Sequence, residues 1–158
     1  MSTKPNTARS ATRRSTSPRR AALVAGWALI TLALVHLATV VFDAASPTED
    51  TRRALDAMGQ VRVTLPGLQP TMTQLFYGFS LTMALGLVTV GTLVVLVARR
   101  SAQAPELLVA VLVATVVFAG IGLVLSWLLM PLPPLVGMAV ALAAGLYGLV
   151  AVRRISRP

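Results

Sequence analysis

Hydrophobic and polar positions in this chain segregate by whole segments: four long apolar runs, 21–42, 74–98, 107–130 and 135–152, are separated by stretches that hold nearly every charge. Each run is long enough to cross a bilayer as a helix. A hydrocarbon core of about 30 Å needs roughly 20 apolar residues at 1.5 Å of rise each, and in lipid a helix satisfies its own backbone hydrogen bonds. The pattern predicts an all-α fold: a four-helix transmembrane bundle at 21–152 with a structured outer loop, 43–73, between its first two helices.

The polar segments predict smaller elements. In the outer loop, Ser46-Pro47-Thr48-Glu49 has the order of a capping box, with Ser46 as N-cap, Pro47 at the first helical position and Glu49 reaching back to a free N–H. A short surface helix is expected at 47–58, carrying Ala54, Leu55 and Met58 on one stripe and ending at Gly59 in the left-handed conformation. Val61, Val63 and Leu65 then alternate with Arg62 and Thr64, the period of extended chain, before a Pro66-Gly67 turn. With one such run visible, an extended strip is expected rather than a sheet. Pro131, Pro133 and Pro134 predict a tight hairpin that makes the last two spans antiparallel neighbours.

Charge orients the bundle. The formal net charge is +9, but eleven of the fourteen basic residues flank the spans: Lys4, Arg9, Arg13, Arg14, Arg19 and Arg20 before the first, Arg99 and Arg100 after the second, and Arg153, Arg154 and Arg157 after the fourth. The outer loop sets Arg52, Arg53 and Arg62 against Asp43, Glu49, Asp50 and Asp56. Under the positive-inside rule both termini are cytoplasmic, and no specific nucleic-acid partner is expected. Residues 1–20, which contain hardly an apolar side chain, are expected to form a disordered basic tail, and 153–158 a short basic one. The first apolar run exceeds a signal-peptide core of about 7 to 15 residues, so it is expected to remain as a span. Thirteen of the fourteen basic residues are arginine, a bias of GC-rich bacterial genomes, which points to a bacterial plasma membrane.

Chemistry is sparse. The chain has no cysteine, which excludes thiol redox chemistry and thiolate metal ligation, and its single histidine cannot assemble a metal site alone. No cofactor is expected. Polar groups inside spans are costly and therefore informative. His36 is the sole ionisable side chain well inside a span, and Gln74, Tyr77, Ser80 and Ser126 fall at about the same depth, so these five are the candidate ligand-binding residues. They would suit a lipid headgroup, a quinone or a small polar molecule, or a proton-titrating switch; the competing role for His36 is a single interhelical hydrogen bond. Small residues at every fourth position, Gly78, Thr82 and Gly86 in span two and Gly137, Ala141 and Gly145 in span four, are the candidate helix-packing surfaces. A homodimer seam is the rival use of those stripes.

The segment Gln74-Leu75-Phe76-Tyr77-Gly78-Phe79-Ser80-Leu81, with a histidine late in the preceding span, resembles a family of uncharacterised small four-span bacterial membrane proteins. That resemblance covers spans one and two and implies no activity; a looser likeness to DoxX-type four-helix proteins rests on span count. The functional expectation is a non-enzymatic membrane protein that binds a lipid-like or small molecule, or a partner protein, on its outer-leaflet side. The alternatives are a membrane enzyme or redox accessory subunit acting on a quinone or lipid, and a small dimeric transporter. Catalysis would want paired acid and base groups, and the spans contain no carboxylate.

Overall fold

The computed structural model describes residues 7–102, 105–129 and 132–155, with side chains at 18–102, 105–128 and 132–154. Among the described residues there are five helices: α1 (Thr7–Ala45), α2 (Glu49–Gln60), α3 (Met72–Arg100), α4 (Pro105–Leu129) and α5 (Leu132–Ile155). Four contain stretches long and apolar enough to cross a membrane: Pro18–Ala45, Met72–Arg100, Pro105–Leu128 and Leu132–Arg154. Their outward surfaces carry large apolar side chains, among them Phe42, Phe79, Leu85, Trp127 and Leu128, each more than two-thirds exposed. Water would not tolerate apolar faces of this extent, whereas lipid requires them. The chain is an all-α multi-pass membrane protein.

The helix boundaries follow from local chemistry. α1 reaches back to Thr7, so part of the sequence expected to be a disordered tail has helical backbone; residues 1–6 lie outside the described part. Pro18 sits inside this helix, where it offers no N–H to the carbonyl four residues earlier, and it marks the start of the span. At its other end, the Ser46 N–H donates to the Phe42 carbonyl at 2.9 Å and completes the last turn of α1. Ser46 is therefore not the N-cap of α2. That role belongs to Thr48, whose carbonyl accepts from the Arg52 N–H at 2.9 Å and whose hydroxyl accepts from the Thr51 N–H at 3.2 Å. Glu49 reaches forward to Arg53 at 3.2 Å instead of back, an exposed pair worth at most about 1 kcal/mol.

α2 does not stop at Gly59. It continues to Gln60 and ends at Val61, whose extended backbone (φ −84, ψ 118) opens a hairpin. The expected extended strip is one arm of that hairpin, and 68–72 is the other. Leu65 and Leu68 exchange two N–H···O bonds at 3.0 Å, the Val63 N–H donates to the Pro70 carbonyl at 2.9 Å, and the Met72 N–H donates to the Val61 carbonyl at 2.9 Å. Pro70 cannot return a bond to Val63, which leaves that pair single. Gly67 (φ 77) closes the corner after Pro66, the arrangement of a type II turn.

The chain divides into two compact units, 32–88 and a second one made of 1–31 with 89–158; α1 and α3 contribute to both. The larger unit is built on a core of Ala22, Val94, Ala98, Leu108 and Leu112. Within it α4 and α5 are antiparallel neighbours, as contacts of Gly122 with Met138, Gly145 with Val116 and Gly148 with Leu112 show. Pro133 and Pro134 fall in the first turn of α5, where N–H groups have no intrahelical acceptor, while Pro131 lies outside the described residues. α1 and α3 meet in the same unit at Gly26 and Gly91. A Cβ on Gly26 would lie 2.9 Å from the Gly91 carbonyl oxygen, and one on Gly91 would lie 2.7 Å from that of Gly26. In the smaller unit, Leu32 and Ala33 of α1 and Ser80, Ala84 and Leu87 of α3 are the buried positions.

Candidate functional site

The smaller unit holds four of the five candidate ligand-binding residues, and their environments differ. His36 belongs to α1, one turn beyond the buried pair Leu32 and Ala33, on the same helix face. It is partly buried as a residue, but its Nε2 atom is enclosed and has no hydrogen-bond partner among the described residues. Its backbone is engaged, with the Thr39 hydroxyl donating to the His36 carbonyl at 2.7 Å. An imidazole nitrogen is either a donor or an acceptor in every protonation state, so an enclosed one without a partner leaves about 1–3 kcal/mol of desolvation cost unrecovered.

Ser80 is buried and Tyr77 half-buried one turn earlier on the same face of α3. Ser80 lies eight residues after the start of α3 and His36 nine before the end of α1, so both sit about 12–14 Å along their helices from the ends that flank the α2 segment. The Tyr77 ring packs edge-on against Phe76, with ring centroids 5.5 Å apart.

Gln74 has a structural task at this end of the helix. Its side-chain Oε1 accepts from the Thr71 N–H at 2.9 Å, while the Thr71 hydroxyl accepts from the Gln74 N–H at 3.2 Å. These reciprocal bonds form a capping box at the start of α3. The signal Thr71-x-x-Gln74 stands in the sequence just ahead of an apolar run, yet a polar residue at a span entrance reads equally well as a ligand contact. The Thr73 hydroxyl next to it donates to the Leu55 carbonyl at 3.0 Å, tying α2 to the first turn of α3. Ser126 is buried on α4 and belongs to the larger unit.

The small residues are also distributed differently from their spacing. A Cβ at Gly78 or Gly86 would meet nothing within 4 Å, and Thr82, between them, is exposed with its hydroxyl donating back to the Gly78 carbonyl at 2.8 Å. Gly145 and Ala141 of α5 face inward: Ala141 is fully buried, and a Cβ at Gly145 would lie 2.8 Å from a Val116 methyl. Gly137, one turn before Ala141, is partly buried. The tightest helix approach, Gly26 with Gly91, lies off both four-residue stripes. Two isolated glycines on different helices carry no repeat that a sequence reading could pick out.

Among the described residues no group of three or more His, Asp or Glu side chains converges to hold a metal ion. No family model matches the sequence, and neither a curated protein nor a solved structure matches the chain. A family likeness, to the uncharacterised four-span proteins or to the DoxX type, is therefore not shown. What stands is the architecture of four long apolar helices.

Proposed function

We propose that this membrane protein is non-enzymatic and binds a lipid-like or small molecule in the His36 region of the smaller unit. The observation that carries the reading is the enclosed Nε2 of His36, which has no hydrogen-bond partner among the described residues. Where the neighbouring side chains part to admit a hydroxyl, carbonyl or headgroup oxygen, the atom gains a hydrogen bond and no protein hydrogen bond is displaced. Ser80 and Tyr77, on the buried stripe of α3, are the further polar groups offered by the same unit.

Orientation and location belong to the same proposal. Arg19 and Arg20 precede the apolar part of α1, Arg99 and Arg100 close α3, and Arg153 and Arg154 stand in the last turn of α5. This distribution supports cytoplasmic termini in a bacterial plasma membrane, with α2 and the hairpin on the opposite side. His36 then lies in the outer-leaflet half of α1.

Native mass spectrometry of the protein in lipid nanodiscs, comparing wild type with His36→Phe, tests the binding reading. Phenylalanine keeps a flat ring and removes both nitrogens. A co-purifying small molecule or lipid that is lost in the variant, with thermal stability retained, is the expected result. Loss of stability without any bound molecule in wild type assigns His36 to helix packing.

A further inference from the structure

We propose that the apolar face of the 61–72 hairpin is seated in the lipid interface, so that the hairpin is a membrane-surface element. The pairing fixes which side chains share a face. Residues directly opposite in an antiparallel ladder project to the same side, and alternate pairs project to opposite sides. The pairs Val61 with Met72, Val63 with Pro70 and Leu65 with Leu68 therefore form one face, wholly apolar. The intervening pairs, Arg62 with Thr71 and Thr64 with Gln69, form the other, wholly polar. The Arg62 guanidinium donates across that polar face to the Gln69 carbonyl at 3.3 Å.

A two-stranded ribbon with one face of each kind must cover the apolar one, since two strands alone are marginal in water. Among the described residues the middle pair, Val63 and Pro70, is partly buried, but the rest of the face is left open: Leu68 is 67% exposed, Val61 50% and Leu65 40%. Continuity with the membrane-spanning surface identifies the occupant. Met72 is at once the last residue of the ladder and the first residue of α3, whose span begins there. The hairpin is thus hydrogen-bonded to the first residue of a membrane helix, which tethers it close to the bilayer boundary. In the first two turns of α3, directly after the hairpin, Phe76 and Phe79 are exposed as well, so apolar side chains remain uncovered on both sides of the junction at Met72. Lipid at the headgroup boundary accepts such a surface without requiring a shape-matched partner.

The absence of cysteine from the chain makes the test direct. Single-cysteine variants Leu65→Cys, Leu68→Cys, Thr64→Cys and Gln69→Cys are labelled with a nitroxide in nanodiscs of phosphatidylcholine and phosphatidylglycerol. Collision of each label with oxygen, which concentrates in lipid, is then compared with a water-soluble nickel chelate. Labels at 65 and 68 are expected to show a severalfold higher oxygen-to-nickel ratio than labels at 64 and 69. Equal, nickel-dominated ratios at all four positions would place the apolar face in water and overturn the proposal. Exclusion of both reagents at 65 and 68 would also overturn it, by showing a protein cover such as a second copy. In unmodified wild type, a diazirine carried near the lipid headgroup should insert into residues 61–72; labelling confined to α3, α4 and α5 would contradict the proposal without recourse to any variant.

Discussion

Gly26 and Gly91 face each other so closely that a Cβ on either would fall within 3 Å of the other's carbonyl oxygen. Beside the Val95 and Ile30 side chains, the obstruction on each side includes backbone, which cannot rotate away, so the α1–α3 crossing depends on two residues without side chains. Lipid supplies no hydrophobic force between helices, and this approach therefore rests on dispersion between the two backbones.

Gly26→Ala and Gly91→Ala should each lower stability by about 1–3 kcal/mol, the usual cost of overpacking a filled interior. Thermal unfolding in nanodiscs reads the effect. Gly78→Ala and Gly86→Ala, where a Cβ meets nothing within 4 Å, should be neutral or stabilising by up to about 1 kcal/mol from helix propensity. A loss at Gly78 matching that at Gly91 would contradict the packing described and point to a contact outside the chain.

The contrast shows what the sequence carries and what it hides. Span number and the antiparallel pairing of α4 with α5 follow from run length and from the prolines, because in a membrane those features are set by bilayer thickness and loop reach. Which glycine packs depends on where two helices cross. A four-residue spacing defines a face of one helix but not what that face meets, and so it pointed to Gly78 and Gly86, not to Gly91. The hairpin is half legible: the alternation 61–65 and the Pro66-Gly67 corner are plain, but the returning arm contains Pro70, which has no N–H to donate and argues against a paired strand. His36 was visible as the lone histidine of a span. Its unpartnered nitrogen is a property of the packed neighbours, which no local pattern encodes.

At α2 the cap is Thr48, since its hydroxyl accepts from Thr51 while the N–H of Ser46 is committed to α1. Thr48→Ala should cost about 0.5–2 kcal/mol, and Ser46→Ala much less. Amide hydrogen exchange across α2 separates the two: protection of its first turn should fall in the Thr48 variant alone. Equal loss in both variants would contradict the assignment.

The turn of the hairpin places a second demand on the sequence. Gly67 has φ 77 with open space around it, so an added side chain would be opposed by backbone conformation and not by neighbours. Gly67→Ala should destabilise the hairpin by about 1–2 kcal/mol, and Gly67→Asn, which tolerates the left-handed region, by less. Limited proteolysis at 64–69 should accelerate in that order. Equal rates for both variants and wild type would show that the turn does not hold the hairpin together.

The central claim is that His36 Nε2 receives its hydrogen-bond partner from outside the chain. With one histidine in the sequence, protein labelled with 15N in its imidazole rings gives nitrogen resonances from His36 alone. The measurement is the Nε2 shift in delipidated protein and after reconstitution into lipids extracted from the source membrane. A shift on reconstitution that reverses on delipidation, and whose direction reports a new hydrogen bond at Nε2, is the predicted result. An Nε2 resonance identical in both states would contradict the claim and leave His36 as a helix-packing residue.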